Sequence, residues 1–219
     1  MLFNCKITAL WVSVIYFSIP LVLIFVINLT TDSLLTTFSS LSIYCWTSYR
    51  NFGKTFSLYL YTISLVFGFL LKGPVILIVP IIYAILYNRI ETNKHSINFH
   101  HIFSWLLFLL ISASWFIYLI LENNDFFNYV FKFQTVDRFA KNEAFGRSEP
   151  FWYYLLLAPF AGFPWFLILF YLLKNERKRI TKNSLQFVLL LSTFIPIIFF
   201  TMSSSKRILY ILPIYALTA

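Results

Sequence analysis

The feature that most constrains this chain is a series of long apolar runs. Residues 7–28 and 102–121 contain no charged side chain. Runs of about 18 or more apolar residues are long enough to cross a bilayer as α-helices. A transmembrane β-barrel would instead alternate polar and apolar residues along each strand, whereas these runs are continuous. The sequence therefore predicts an all-α polytopic membrane protein.

Composition agrees with this class and bears on the domain organisation. Hydrophobic residues make up 60% of the 219 residues and charged residues 11%, with a mean hydropathy of +0.79. This balance excludes a water-soluble domain. We expect a single transmembrane domain over residues 1–219, folded as a helix bundle. About eight membrane segments are predicted, at residues 7–28, 33–49, 56–71, 75–87, 102–121, 151–173, 185–202 and from 208 onward.

One long polar stretch, residues 122–149, separates two apolar blocks. It carries acidic and basic side chains together with many Phe and Tyr residues. Such a mixture suits the bilayer surface, where rings lie among the headgroups and charges face water. The aromatic run 151–154 is predicted to anchor the next helix at the same surface. If the protein catalyses a reaction, we expect the site between this outer-face loop and the neighbouring helix ends.

Basic residues predict the orientation, because Lys and Arg collect in cytoplasmic loops. With a cytoplasmic N-terminus, ten of the 17 basic residues fall on the inner side, with a strong cluster at 174–182. Asp32, Lys72, Lys206 and the 122–149 loop then share the outer face. This topology also accounts for the formal net charge of +9, so we expect no nucleic-acid partner.

Two charged residues at predicted helix ends are candidate site residues. Asp32 is the only acidic residue before residue 91. It lies at a helix start capped by the preceding threonines, or it serves as a carboxylate that binds an acceptor, a metal or a sugar hydroxyl. Lys72 precedes Gly73-Pro74, a break between two helices. Lys72 either reaches toward lipid headgroups or helps to bind an anion beside the new helix N-terminus.

Basic residues of the outer loop and of the last segment are further candidates. Arg138 lies in the 122–149 loop, and Lys206 with Arg207 follows a run of serines. Charged runs are commonly solvated surface, but an arginine can also hold a phosphate through paired hydrogen bonds. The sequence has no phosphate-binding glycine loop, nucleophile elbow or zinc-ligand spacing. We therefore assign no metal ligands and no certain cofactor, with a possible divalent metal at Asp32 as the exception.

Four stretches, taken in order, resemble one known family, the GT-C membrane glycosyltransferases of the aminoarabinose transferase and protein O-mannosyltransferase type. The resemblance extends over nearly the whole chain. The stretches are 29–38 (LTTDSLLTTF), 70–75 (LLKGPV), the loop region with 126–127, 138–139, 150–154 and 162–165, and 199–213 (FFTMSSSKRILYILP).

This resemblance implies transfer of a sugar from a polyprenyl-phosphate donor to a lipid or protein acceptor on the outer face of a bacterial inner membrane. Asp32 matches the second acidic residue of the family pattern, and a carboxylate there can orient or deprotonate the acceptor. Lys72 and Arg138 match the phosphate side, where cations stabilise the departing group. Lys206 falls in the matching outer segment as a third substrate-binding candidate. The implied partners are a polyprenyl-phosphate-linked sugar and membrane lipid.

The sequence also departs from the family pattern. The family places its principal catalytic carboxylate in a large first outer loop that this sequence does not contain, and many relatives carry a soluble C-terminal domain. We therefore expect the chain to correspond to an internal portion of the family fold, truncated at both ends, and to be inactive alone. Two other functions stay open: a non-catalytic lipid-binding or scaffolding membrane protein, and a small transporter. The transporter is disfavoured because the predicted helix centres lack charges.

Overall fold

The structure, a computed structural model, describes residues 6–27, 30–90, 99–122, 125–126, 128, 149–175, 180, 184–203 and 206–218. These residues form helices and connecting turns without a β-strand, which confirms the predicted all-α class. Arg138 and most of the predicted outer loop lie outside the described residues.

The helix bounds follow the predicted segments in part. The helix over residues 185–202 has the bounds predicted for the seventh segment, and the helix over residues 55–72 exceeds the predicted third segment, 56–71, by one residue at each end. In the described parts of the chain the helices are α1 (Lys6–Ser18), α2 (Pro20–Ile27), α3 (Thr31–Phe52), α4 (Thr55–Lys72), α5 (Val75–Ile90), α6 (Phe99–Glu122), α7 (Tyr153–Ala161), α8 (Trp165–Asn175), α9 (Leu185–Met202), a 3₁₀ helix (Ile208–Ile214) and α10 (Tyr215–Thr218).

Three helices among the described residues, α4, α6 and α9, are long and apolar enough to cross a membrane. The pair α7–α8 adds a fourth span if two helices bent by 103° are taken as one. α1, α5 and residues 208–218 are apolar but shorter. The predicted number of about eight membrane segments is therefore not confirmed. Breaks in the helices explain part of the difference, because a continuous apolar run need not form one straight helix.

The predicted sixth segment, residues 151–173, is wrong as a single helix. The structure divides it into α7 and α8, which meet at 103°. Pro164 has no backbone N–H and disfavours a helical conformation at the residue before it, so the helix ends ahead of it. Gly162 is needed at this turn, because an added Cβ would lie 2.9 Å from the Tyr215 ring and 3.0 Å from the Phe166 ring.

A second break divides the predicted first segment, residues 7–28. The sequence predicts a kink at Pro20, whereas α1 ends at Ser18 and α2 begins at Pro20. A proline fits the first position of a helix because its missing N–H would have no partner there. The Trp165 indole N–H donates to the Ser18 hydroxyl oxygen at 2.7 Å. This bond connects the end of α1 to the start of α8.

Polar packing around α3 organises the bundle. α3 packs against α4, α5 and the 3₁₀ helix. Small residues allow helices to approach closely in membranes, and hydroxyl groups form hydrogen bonds between them. Thr47 shares a hydrogen bond with Tyr83 of α5, with 2.8 Å between the hydroxyl oxygens. The buried side chains of α3 include Asp32, Thr36, Ser39, Ser42, Thr47 and Arg50.

α6 lies at the edge of the described bundle. Its buried side chains are Ser104, Phe108 and Ser112, and the Ser104 hydroxyl shares a hydrogen bond with the Thr62 hydroxyl of α4. Most other α6 side chains are large, apolar and exposed. This arrangement is typical of a membrane helix that faces lipid on one side and small or polar side chains on the other.

α4 and α5 come into close contact at Gly68. A Cβ added to Gly68 would lie 2.4 Å from Cγ1 of Ile76. Ile76 is itself buried, with 1% of its surface exposed, so it has little room to move. Gly68 therefore sets how closely the two helices approach on either side of the Gly73 turn.

We predict that Gly68→Ala lowers the free energy of unfolding by about 1–3 kcal/mol, the usual effect of overpacking a core. The double variant Gly68→Ala/Ile76→Ala should lose less than the sum of the two single variants, because the smaller side chain makes room for the added methyl group. Unfolding in detergent, followed by tryptophan fluorescence, measures both effects. Ile63→Ala, at an exposed position of α4, is the control. Additive losses in the double variant would contradict the contact.

Candidate functional site

Asp32 lies in the first turn of α3. The Thr30 hydroxyl oxygen accepts from the Ser33 N–H at 3.4 Å, and the Ser33 side chain accepts in return from the Thr30 N–H. Asp32 is 4% exposed, and a carboxylate in the first turn is stabilised by the positive end of the helix dipole. Because Thr30 supplies the cap, the Asp32 carboxylate is directed to another partner.

That partner is Lys72, in the last turn of α4. The Lys72 ammonium donates to the Asp32 carboxylate in an ion pair whose side chains are 16% and 5% exposed, respectively. Lys72 lies at the negative end of its own helix dipole. Gly73, with φ of 72°, ends the helix directly after it. The ammonium also lies over the Tyr210 ring, 5.0 Å from its centroid, within the range of a cation–π interaction.

Lys206 lies on the segment before the 3₁₀ helix. Its side chain is 7% exposed, and its ammonium donates to the Glu149 carbonyl oxygen at 2.9 Å. A carbonyl oxygen carries only a partial negative charge, so among the described residues this bond offsets the positive charge of Lys206 only in part. Lys72 differs, because the full negative charge of Asp32 offsets its own. The same segment continues to Tyr210, whose ring Lys72 contacts.

The structure brings two of the four predicted site residues into contact and a third onto an adjoining segment. Asp32 and Lys72 are 40 residues apart in sequence and form an ion pair. Lys206 precedes the 3₁₀ helix that carries Tyr210. Arg138 lies outside the described residues. Asp32 and Lys72 thus meet at one end of the bundle, with Lys206 on the adjoining segment, while the membrane side that this end faces stays a prediction.

Sequence reasoning missed two tyrosines of this region. Tyr210 lies within the stretch 199–213, but nothing in a chain with 14 tyrosines distinguishes it. Tyr154 was predicted to belong to a membrane-anchoring aromatic run. In the structure its side chain is fully buried, and its hydroxyl contacts the backbone of Arg207. Phe151 and Trp152 of the same run are exposed, as such anchors are.

This end of the bundle suits a negatively charged ligand. Asp32, Lys72 and Lys206 together carry one more positive than negative charge, and all three side chains are largely buried. Charge interactions are stronger in such surroundings than in bulk water. A bound anion would offset the free energy of burying a second ammonium group. The Asp32 carboxylate is in addition a group that can accept a proton from a hydroxyl.

A metal ion does not fit the described residues of this site. No group of three or more His, Cys, Asp or Glu side chains that could hold one occurs in the described parts of the chain. Asp32 is already paired with an ammonium, and divalent cations take more oxygen ligands than one carboxylate supplies. The described residues therefore do not support the possible divalent metal at Asp32.

A family comparison identifies the chain. The model of the family described as dolichyl-phosphate-mannose-protein mannosyltransferase matches residues 1–129, more than half of the sequence. The chain belongs to this family. The matched region includes Asp32 and Lys72, so the ion pair lies within the mannosyltransferase-family part of the chain. The resemblance inferred from the four stretches is confirmed.

Curated relatives bear the name undecaprenyl phosphate-alpha-4-amino-4-deoxy-L-arabinose arabinosyl transferase. The protein of Serratia proteamaculans is 33% identical over 150 residues, which cover 68% of this chain and 27% of that protein. The protein of Aeromonas hydrophila is 27% identical over 221 residues, which cover 98% of this chain and 40% of that protein. The chain thus spans less than half the length of these relatives.

A solved structure has the same fold. ArnT from Cupriavidus metallidurans, crystallised with undecaprenyl phosphate, matches with a TM-score of 0.75 and 18% identity over 94% of this chain and 38% of ArnT. The apo state of the same protein matches with a TM-score of 0.69. The helical arrangement of this mannosyltransferase-family chain is therefore that of a membrane protein of known structure.

We predict that Lys72→Met and Asp32→Asn each lower the free energy of unfolding by about 3–5 kcal/mol, because each leaves the other charge buried without its partner. The double variant should lose clearly less than the sum of the two. Thermal unfolding in detergent of the wild type and the three variants gives the coupling energy.

Lys54→Met is the matched control for this cycle. Lys54 is an exposed lysine at the other end of α4. Its replacement should change the free energy of unfolding by no more than about 0.5 kcal/mol. A coupling energy near zero between Asp32 and Lys72 would argue against the ion pair.

Proposed function

We propose that this chain forms the polyprenyl-phosphate-binding part of a membrane glycosyltransferase, which transfers a sugar from a polyprenyl-phosphate donor to a lipid or protein acceptor. The observation that carries the proposal is Lys72, held between Asp32 and the Tyr210 ring, with a second buried ammonium, Lys206, on the neighbouring segment. The family match and the relatives named for an undecaprenyl-phosphate-linked sugar support the same substrate class.

The cations act on the leaving phosphate in this proposal. The acceptor hydroxyl oxygen forms a bond to the anomeric carbon, while the bond from that carbon to the phosphate oxygen breaks. The bonding pair leaves with the polyprenyl phosphate. Lys72 and Lys206 stabilise the charge that develops on that oxygen, with Arg138 of the 122–149 loop as a third candidate. Asp32 accepts the proton of the acceptor hydroxyl.

In this proposal the chain forms a single transmembrane domain in a bacterial inner membrane, with a cytoplasmic N-terminus. Asp32, Lys72 and Lys206 then face the outer side. The apolar helices α4, α6 and α9 support a membrane location. The basic cluster at 174–182 supports the orientation, because Lys and Arg beside helix ends favour the cytoplasm.

We predict that the chain binds undecaprenyl phosphate and that Lys72→Gln weakens binding by about 10- to 100-fold, as expected for loss of a hydrogen bond to a charged group. Lys206→Gln and Arg138→Gln should act in the same direction. Tryptophan fluorescence titration in nanodiscs of neutral phosphatidylcholine gives the Kd. Lys54→Gln removes the same charge at the opposite end of α4 and should leave the Kd unchanged. Equal weakening by Lys54→Gln would assign the effect to net charge and contradict the proposal.

The chain alone is predicted to bind the carrier without transferring sugar. The family resemblance implies a principal catalytic carboxylate besides Asp32, and sugar transfer is expected to require it. Incubation with a radiolabelled polyprenyl-phosphate sugar and lipid acceptor in proteoliposomes measures transfer. Turnover would overturn this prediction and assign full enzyme activity to the chain. Absence of both carrier binding and turnover would favour a scaffolding role, and solute flux in the same vesicles would favour a transporter.

A further inference from the structure

A buried tyrosine of α7 holds the segment that carries Lys206 and Tyr210. The Tyr154 side chain is 0% exposed. Its hydroxyl oxygen lies 2.9 Å from the Arg207 carbonyl oxygen and 3.0 Å from the Arg207 backbone nitrogen. A tyrosine hydroxyl can donate one hydrogen bond and accept another, so it donates to the carbonyl and accepts from the N–H. One side chain thus fixes both backbone groups of Arg207.

Arg207 is the residue from which the 3₁₀ helix starts. Its carbonyl oxygen also accepts from the Tyr210 N–H at 3.1 Å, in the first turn of that helix. The Tyr154 hydroxyl therefore bonds to the same carbonyl that sets the conformation of Tyr210. The preceding residue, Lys206, is held by its bond to the Glu149 carbonyl. The 206–210 segment is thus anchored by residues of α7 and of the stretch before it.

Ring packing fixes where the Tyr154 hydroxyl lies. The Tyr154 ring is 5.1 Å from the Tyr153 ring and 6.5 Å from the Phe200 ring, measured between centroids. The Phe200 ring is in turn 5.5 Å from the Tyr210 ring. Aromatic pairs at these distances stabilise each other. Phenylalanine at position 154 would keep these ring contacts and lose only the bonds to Arg207.

We propose that Tyr154 is a positioning residue for phosphate binding. Through the Arg207 backbone, its hydroxyl sets the positions of Lys206 and Tyr210 relative to Lys72. The identity of the ligand rests on the proposed function, whereas the two hydrogen bonds between Tyr154 and the Arg207 backbone are a property of the fold. A packing role would need only the ring, but a positioning role needs the hydroxyl.

Tyr154→Phe tests this role, with Tyr215→Phe as its matched control. Tyr215 is equally buried, and its hydroxyl donates to the Ala158 carbonyl oxygen at 2.9 Å, a bond that does not involve residues 206–210. We expect similar losses in thermal midpoint for both variants. Tyr154→Phe alone should raise the Kd for undecaprenyl phosphate about tenfold. Hydrogen–deuterium exchange of amides 206–210 should be faster in that variant alone.

The two measurements separate the possible failures. If the rate of amide hydrogen exchange at 206–210 is unchanged in Tyr154→Phe, the hydrogen bonds from Tyr154 do not fix Arg207, whether or not lipid binds. Faster exchange with an unchanged Kd, or an equal rise in Kd in Tyr215→Phe, would overturn the positioning role. If the wild-type chain binds no undecaprenyl phosphate, the proposed function fails and the ligand part of this inference fails with it. The exchange data then still decide whether Tyr154 holds Arg207.

Discussion

The ion pair between Asp32 and Lys72 is the contact on which the candidate site depends. Burying either charge alone in an apolar bundle would cost several kcal/mol. The pair lowers that cost, and each member also lies at the end of its helix where the dipole favours its sign. The pair joins α3 to α4, so the same contact stabilises the bundle and holds the Lys72 ammonium against the Tyr210 ring.

The bundle combines an apolar core with a polar interior along α3 and an exposed surface of large apolar side chains. α3, which contacts α4, α5 and the 3₁₀ helix, buries serine, threonine and charged side chains. Large apolar side chains such as Leu109 of α6 and Phe160 of α7 are exposed. Lipid gives no hydrophobic drive for helices to associate, so close packing and hydrogen bonds must hold them together. The Thr47–Tyr83 and Thr62–Ser104 contacts are instances of this. A charged site at the end of α3 continues this polar interior.

The sequence predicts those features that depend on local composition. The bounds of α4 and α9 follow from apolar runs between polar breaks, and Asp32 and Lys72 were identifiable because charges are rare in this chain. The α7–α8 bend was not predicted, because prolines are tolerated within membrane helices, so Pro164 alone does not separate a kink from a turn. The turn also depends on packing of Gly162 against Tyr215. Tyr154 was not predicted either. A tyrosine near a helix end has the same sequence signature whether its hydroxyl faces headgroups or a buried backbone.

The order of the helices along the chain has a consequence for biogenesis. Asp32 and Lys72 are on consecutive helices joined by a short connection at Gly53-Lys54, so their charges can neutralise each other soon after α4 is synthesised. A nascent chain would then enter the membrane without an isolated charge at these helix ends. Lys206 and Tyr210 are made much later, in the last described helical region. The two early residues can therefore pair before the segment with Lys206 and Tyr210 is made, and the proposed anion site is complete only when that segment packs beside them.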